Sequence, residues 1–307
     1  MRVLVVGGSG LLGRSVCRRG LGAGWSVVGT FHSGEIAVPG VAARRLDVTD
    51  RSAVRALVAE VRPDAVVGTP YRYGDWAVTA DGAAHVALAA AAVGARLVHV
   101  SSDALHAGRQ VPYADDEPPT PVHAYGAAKA AAETAVRAID PGAALVRTSL
   151  IVGEGSKQIQ LCRDALAGRA TLFSDELRCP IDVTDLADAV LELAASTYAG
   201  LLNVAGPDAV SRAELGLLVA ERYGLDAAGL KTTTSAASGL VRPLDVRLDS
   251  TRAAALLRTR LRGVREVLAP LSTARTHFLC TTLVHRKCAE IVCSHGERRR
   301  RPTAGAA

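Results

Sequence analysis

Short apolar runs alternate with longer segments of helical spacing through the first half of the chain. The pattern predicts an α/β fold, a doubly wound parallel sheet covered by helices. The predicted strands are residues 3–6, 26–30, 65–67, 97–101 and 144–147. The predicted helices are residues 11–21, 51–61, 78–93 and 124–139. Ligands of such sheets bind beyond the carboxyl ends of the strands, so we expect the loops there to form the site.

The pattern changes twice in the second half of the chain. After Leu150, glycines and Pro180 separate shorter elements, with predicted helices at residues 183–195 and 212–223. From about Ser272 the composition turns to His, Cys, Thr and Arg. We therefore predict a core at 1–152, a smaller substrate-binding lobe at 153–270 that partly returns to the core, and a disordered basic tail at 271–307.

Three glycines at a spacing of three follow the first predicted strand and open a helix. Gly7 permits a tight turn, Gly10 lets the backbone approach a pyrophosphate, and Gly13 lets helix and strand pack closely. The phosphates would bind the free N–H groups at the helix N-terminus, beside Leu11 and Leu12. An ordinary glycine-rich turn is the alternative. The position between a strand and a helix favours a dinucleotide-binding, Rossmann-type domain.

The end of the second predicted strand bears on the choice of cofactor. A fold that prefers NAD usually places a carboxylate there for the ribose 2′-hydroxyl, whereas this chain has Thr30, His32 and Ser33. Hydroxyls and an imidazole suit a 2′-phosphate better, so NADP is predicted, with NAD as the alternative. Asp47 could lie beside the adenine amino group, although Thr49 and Asp50 read equally well as a helix N-cap region. The predicted cofactor-binding residues are Gly7, Gly10, Leu11, Leu12, Gly13, Thr30, His32, Asp47, Val48, Thr69, Tyr125 and Lys129.

Tyr125 and Lys129 are four residues apart on a predicted helix, so they share one face. An ammonium near a phenol favours the phenolate and is expected to lower the pKa of Tyr125, which suits proton transfer to or from a carbonyl oxygen. Ser102 ends a predicted strand 23 residues upstream, where its hydroxyl could bind the same oxygen. Serines in such places are commonly turn residues. Because Ser102 occurs together with the Tyr125 and Lys129 pair and the glycine loop, we predict a catalytic trio of Ser102, Tyr125 and Lys129.

With these motifs the chain resembles the extended short-chain dehydrogenases/reductases, and within them the dTDP-4-dehydrorhamnose reductase family. The resemblance covers about residues 1–270 and also includes segments 145–149, 182–187 and 203–206. It implies NADPH or NADH and reduction of a 4-keto group on a nucleotide-linked sugar, with the catalytic roles on Ser102, Tyr125 and Lys129. It also suggests a homodimer, formed through the alanine-rich helices at 78–93 and 124–139.

The chain departs from that family at four places, one of which is Ser15, where some members have a glutamate for magnesium-linked dimerisation. An Asn-Ala-Ala type turn is replaced by residues 68–72, and two usual aromatic residues are replaced by Ala104 and Leu150. These changes leave the cofactor loop intact but put a rhamnose substrate in doubt. The alternatives are a non-catalytic nucleotide-binding regulator, such as the family's regulatory β subunit of methionine adenosyltransferase, and a sugar-nucleotide epimerase or dehydratase.

Composition narrows the remaining classes. Hydrophobic residues make up 49% and charged residues 21%, with no run of about 18 apolar residues. The net charge of +6 owes much to the arginine run at 298–301. The cysteines and histidines of the tail lack the close pairs of a zinc site. We therefore expect a cytoplasmic enzyme with a small-molecule substrate, no metal, no nucleic acid and no membrane partner.

Overall fold

The computed structural model describes residues 1–270, and the predicted tail lies outside the described residues. Its centre is a seven-stranded sheet in the order β11-β6-β5-β4-β1-β2-β3, in which every pair is parallel. The strands are β1 Arg2–Val6, β2 Ser26–Phe31, β3 Ala42–Arg45, β4 Ala65–Gly68, β5 Arg96–Val100, β6 Ala144–Arg147 and β11 Gly200–Asn203. The predicted doubly wound sheet is confirmed, with each of the five predicted strands present within one residue of its predicted limits.

The burial of the strands explains which of them the apolar pattern predicts. The central strands β4 and β6 are buried at every position, as parallel strands covered on both faces must be. The edge strand β3 is exposed at all four positions and reads Ala-Ala-Arg-Arg. It therefore has no apolar run, and it forms because the β2 backbone offers an unpaired edge.

Helices cover both faces of the sheet. The longer ones are α1 Leu11–Gly22, α2 Arg51–Val61, α3 Gly82–Ala92, α4 Ala124–Ile139, α5 Lys157–Leu166, α6 Val183–Ala194 and α7 Arg212–Tyr223. Helices α1 and α6 supply one apolar core, and α2, α3 and α4 supply the other. The predicted helices 51–61, 124–139 and 212–223 have the observed bounds. The pairing of alanine-rich helices between two copies stays a prediction.

The helix predicted at 78–93 begins differently in the structure. A π-helical turn, Ala77–Asp81, precedes α3. The Thr79 hydroxyl exchanges hydrogen bonds of 3.0 Å with both the N–H and the carbonyl of Arg72. These hydrogen bonds to the β4–α3 loop stabilise the wider, π-helical turn. The spacing of apolar residues does not predict such a turn.

The second half divides its elements between the sheet and a smaller lobe. Strand β11 and helix α6 belong to the main sheet layer, whereas α5 and α7 pack together over a third apolar core. The short strands are β7 Ile151–Val152, β8 Leu172–Phe173, β9 Leu177–Arg178, β10 Ile181–Asp182, β12 Val210–Ser211 and β13 Thr232–Thr233. The short helices are α8 Ser235–Ser238, α9 Thr251–Leu256 and α10 Val264–Val267. No helix within residues 1–270 is long and apolar enough to cross a membrane.

A buried ion pair joins α4 to β6. The Nε and Nη2 atoms of Arg147 donate to the two carboxylate oxygens of Glu133 at 3.0 and 2.8 Å. Its Nη1 donates to the carbonyls of Asp115 and Glu117 at 3.0 and 2.8 Å. The side chains of Arg147 and Glu133 are only 1% and 4% exposed. Every part of the guanidinium is therefore paired inside the fold, as a buried charge requires.

We predict that Glu133→Ala lowers the free energy of unfolding by about 3–5 kcal/mol, because it leaves Arg147 buried without its counter-ion. Asp188→Ala is the matched control, since it breaks an exposed ion pair with Arg19. The side chain of Arg19 is 50% exposed and that of Asp188 is 31% exposed. We expect that change to cost at most about 1 kcal/mol. Urea unfolding measures both, and equal losses would contradict the assignment.

Candidate active site

The glycine loop between β1 and α1 is built by backbone contact that only glycine permits. Gly7 has a φ of +87°, and the Gly10 N–H donates to its carbonyl at 3.0 Å. A Cβ on Gly13 would lie 2.1 Å from the same carbonyl oxygen. Helix α1 therefore begins directly against the turn, which leaves a cradle for a phosphate at its N-terminus. The residues of this loop fit a dinucleotide.

One cleft of about 1300 Å³ brings the predicted site residues together. It runs along the carboxyl edge of the sheet and onto the lobe. The cleft is lined by all twelve predicted cofactor-binding residues and by Ser102. Ser33, which supported the choice of cofactor, is exposed and outside the lining.

Two threonines hold the loop in place. The Thr30 hydroxyl accepts from the Gly7 N–H at 3.0 Å, and the Thr69 hydroxyl donates to the Val6 carbonyl at 2.9 Å. Thr30 is 2% exposed. The expectation that its hydroxyl serves a 2′-phosphate is therefore corrected, because that hydroxyl is committed to the loop.

His32 and Asp47 face each other at the end of β2. His32 Nε2 lies 3.6 Å from Asp47 Oδ2, and both side chains are about half exposed. Asp47 Oδ1 also accepts from the N–H and hydroxyl of Thr49 at 2.9 and 2.7 Å. The backbone N–H of Thr49 is the main reason that the pKa of Asp47 is lowered. Of the two N-cap candidates, Asp50 rather than Thr49 is the N-cap of α2, accepting from the Ala53 N–H at 2.9 Å.

The N-terminus of α4 carries Tyr125 against the loop that carries Ser102. A Cβ on Gly126 would lie 2.2 Å from the Ala104 carbonyl oxygen, so this contact depends on glycine. His123 caps the helix by accepting from the Gly126 N–H at 3.0 Å. Ser102 Oγ accepts from the Ala104 N–H at 3.2 Å. The sequence analysis missed Gly126, whose only signal was its place directly after the tyrosine.

Lys129 is buried one turn further along α4. It is 2% exposed, and its Nζ donates to the Val100 carbonyl at 2.9 Å. Burial lowers the pKa of Lys129 to about 8. Burial likewise raises the pKa of Tyr125, with a smaller contribution from the nearby phenols of Tyr73 and Tyr71, and a hydrogen bond with Ser102 opposes the rise. The expected lowering of the pKa of Tyr125 is therefore wrong, because burial raises that pKa.

Two tyrosines that the sequence analysis did not assign reach the same place from the β4–α3 loop. The ring centroid of Tyr73 lies 4.2 Å from that of Tyr125, and that of Tyr71 lies 5.7 Å away. Lys129 Nζ is 5.8 Å from the Tyr71 ring centroid. The planes of the Tyr73 and Tyr125 rings are tilted by 36°, and their centroids are too close for a further ring to lie between them. The available signal was the replacement of the family's usual turn at residues 68–72.

Three arginines of the lobe also line the cleft: Arg178, Arg212 and Arg242. No group of three or more His, Cys, Asp or Glu side chains within residues 1–270 could hold a metal ion. Cys17, Cys162 and Cys179 are buried free thiols. The cysteines and histidines of the tail lie outside the described residues.

The parallel sheet, the glycine loop and the gathering of Ser102, Tyr125 and Lys129 at one sheet edge define a protein of the extended short-chain dehydrogenase/reductase class. The family model of the RmlD substrate binding domain matches residues 1–275. The chain belongs to this family.

Relatives with different names match most of the chain. The dTDP-4-dehydrorhamnose reductase of Mycolicibacterium smegmatis is 30% identical over 286 residues, which cover 87% of this chain and 84% of that protein. Methionine adenosyltransferase 2 subunit beta of Rattus norvegicus is 29% identical over 298 residues, covering 88% and 87%. The crystal structure of a hypothetical dTDP-4-dehydrorhamnose reductase from Sulfolobus tokodaii has a TM-score of 0.75 at 28% identity, covering 86% and 97%.

More distant structures share the fold. A dTDP-4-dehydrorhamnose reductase from Bacillus anthracis, crystallised with NADP, has a TM-score of 0.75 at 21% identity, covering 87% of this chain and 96% of that one. The Bordetella bronchiseptica enzyme WbmH, crystallised with NAD+, has a TM-score of 0.76 at 22% identity, covering 87% and 96%.

The lowered pKa of Lys129 leads to a prediction about cofactor binding. An ammonium with a pKa of about 8 is charged below that pH and loses its proton above it. We expect NADP+ affinity to be constant below pH 7 and to fall above pH 8, by up to about tenfold per pH unit. Fluorescence titrations from pH 6.5 to 9.5 measure it. In Lys129→Met the affinity should be low and independent of pH over this range, and an unchanged profile would contradict the role of Lys129.

Proposed function

We propose that the protein is an NAD(P)H-dependent reductase of a keto group on a nucleotide-linked sugar. The observation that carries the proposal is the meeting of Ser102, Tyr125 and Lys129 in the cleft that also holds the glycine loop. The reductases named among the relatives support the substrate class. The cytoplasmic location and the homodimer stay predictions.

The residues divide the reaction between them. When bound in the cleft, a nicotinamide cofactor would supply the hydride for the carbonyl carbon of the sugar. The Tyr125 hydroxyl gives its proton to the carbonyl oxygen, and the Ser102 hydroxyl orients that oxygen by a hydrogen bond. Lys129 would hold the cofactor ribose and stabilise the phenolate that proton transfer leaves on Tyr125. The raised pKa of Tyr125 keeps this proton on the phenol before the reaction.

A regulatory subunit is the second candidate, because methionine adenosyltransferase 2 subunit beta matches the chain over nearly its whole length. Such a protein would bind the nucleotide without turnover. The presence of Ser102, Tyr125 and Lys129 in the cleft favours the reductase. Substrate-dependent oxidation of NADPH, screened over nucleotide-linked keto sugars, distinguishes the two. An epimerase or dehydratase would act without net consumption of NADPH.

We predict that Tyr125→Phe lowers kcat by about 10²- to 10⁴-fold, the usual share of general acid catalysis, while NADPH affinity and melting temperature stay close to those of the parent protein. The change removes only the hydroxyl. Tyr223→Phe is the matched control, because Tyr223 lies on α7 outside the cleft lining. The assay uses a keto sugar that the parent protein reduces. Full activity of Tyr125→Phe would overturn the catalytic assignment.

We also propose that NADPH is preferred over NADH. No carboxylate stands at residues 30–33, and the arginines of β3 pair in register with the end of β2, Arg44 with Thr30 and Arg45 with Phe31. A 2′-phosphate would therefore meet His32 and positive charge. Two carboxylates oppose this charge: Asp47 lies beside His32, and Glu60 lies 3.7 Å from Arg44.

We predict tighter binding of NADPH than of NADH in fluorescence titrations at equal ionic strength. His32→Ala should weaken NADPH binding and leave NADH binding unchanged, since only NADPH carries the 2′-phosphate. Tighter binding of NADH by the parent protein would refute the preference.

A further inference from the structure

The loop between β4 and α3 places two tyrosines beside the catalytic trio. The ring centroid of Tyr73 lies 4.2 Å from that of Tyr125, and the rings of Tyr71 and Tyr73 meet edge to face with centroids 5.8 Å apart. Both side chains line the cleft. Among residues 1–270, the one further phenyl or phenol ring in the lining is that of Phe31, at the end of β2. Tyr71 and Tyr73 are therefore the aromatic surface that the cleft offers next to the catalytic phenol.

The two rings face different parts of the cleft. The ring centroid of Tyr71 lies 5.8 Å from Nζ of Lys129, the residue to which the proposed function gives the cofactor ribose. Tyr73 is 68% exposed but stands inside the cleft, where desolvation raises the pKa of its phenol and the charges of Arg212 and Arg242 oppose the rise. Those two arginines belong to the lobe. Tyr73 therefore faces the lobe, whereas Tyr71 faces the ammonium.

Hydrogen bonds fix the backbone between the two tyrosines. The Thr79 hydroxyl bonds to both the N–H and the carbonyl of Arg72 at 3.0 Å, and the Asp75 N–H donates to the same carbonyl at 3.2 Å. Asp75 Oδ1 in turn accepts from the Val78 N–H at 3.0 Å. A ring on a backbone held in this way loses little conformational freedom when a ligand packs against it. The loop therefore presents the Tyr73 ring to the cleft in a preorganised position.

The distance between the rings decides where a sugar can lie. No pyranose fits between the rings of Tyr73 and Tyr125, so a sugar whose carbonyl reaches the Tyr125 hydroxyl is brought against the exposed face of Tyr73. One face of a pyranose carries mainly C–H bonds and is apolar. Packing that face on an aromatic ring removes both surfaces from water. Ala104 and Leu150, which also line the cleft, have no ring that could make this contact.

We propose that Tyr73 is a specificity-determining residue, whose exposed ring face packs against the C–H face of the substrate's sugar. The inference rests on the proposed function for the class of substrate. It assigns recognition of the sugar to a side chain outside the catalytic trio. Because the ring makes the contact, the phenolic hydroxyl of Tyr73 is dispensable for it.

The test compares dTDP-glucose with dTDP in calorimetric titrations of the full chain at saturating NADPH. Because dTDP-glucose has no keto group for NADPH to reduce, the titration measures binding without turnover. The ratio of the two affinities isolates the contribution of the sugar. We expect Tyr73→Ala to lower this ratio by about tenfold, the scale of one aromatic contact, and Tyr73→Phe to leave it unchanged. The melting temperature should stay close to that of the parent protein, since Tyr73 is largely exposed.

Tyr223→Ala is the matched control, because Tyr223 is a partly exposed tyrosine on α7 outside the cleft lining. An unchanged ratio in Tyr73→Ala would overturn the proposal, and so would an increased ratio, which would mean that the ring blocks the sugar. A chain whose ratio falls in Tyr73→Ala but which reduces no nucleotide-linked keto sugar would retain the sugar contact and contradict the reductase. Reduction of a keto sugar with equal KM in the parent protein and in Tyr73→Ala would contradict the contact alone.

Discussion

The position of α4 against β5 and β6 is the constraint on which the candidate site depends. Three contacts set it: the buried pair of Glu133 with Arg147, the approach of Gly126 to the Ala104 carbonyl, and the bond from Lys129 Nζ to Val100. Because β5 and β6 are neighbours in the sheet, these contacts place the phenol and the ammonium of α4 over the strand end that carries Ser102. The placement of Tyr125 and Lys129 beside Ser102 in the cleft therefore depends on the position of α4.

Buried charge in this protein is kept where a partner or a function requires it. Arg147 is paired on every side, and Glu176 is shared among three arginines. The buried imidazoles of His99 and His106 are different, since burial lowers the pKa of each to about 3 and leaves them neutral. Lys129 is the intermediate case, with a pKa lowered to about 8 and a single carbonyl partner. The pKa of Lys129 lies close to neutral pH because the ammonium is buried and has no hydrogen bond to a carboxylate.

Some elements of the fold follow from the sequence pattern, and others do not. Apolar runs located the five buried strands, and helical spacing located α2, α4 and α7, because burial on the sheet imposes those periods directly. The sequence pattern did not predict strand β3, because its side chains are exposed. It did not predict the π-helical turn either, because that turn depends on the contact of Thr79 with Arg72. In the site, all the predicted residues line one cleft. However, the Thr30 hydroxyl bonds to the glycine loop, and the pKa of Tyr125 is raised where a lowered pKa was predicted. Hydrogen bonding and desolvation are set by three-dimensional neighbours that spacing does not encode.

The sequence by itself determined the doubly wound sheet and the glycine loop, since each depends on local periodicity or on residue types at short spacing. It also predicted the trio of Ser102, Tyr125 and Lys129, from residue types at the end of one strand and on one helix face. Only the tertiary structure decided that the ring of Tyr73 lies against the ring of Tyr125, and that Arg178, Arg212 and Arg242 meet around Glu176. Those residues are separated by long stretches of chain and come from unrelated elements. Their meeting depends on how the lobe packs beside the sheet, because charge repulsion and burial are balanced only after the fold has brought them together.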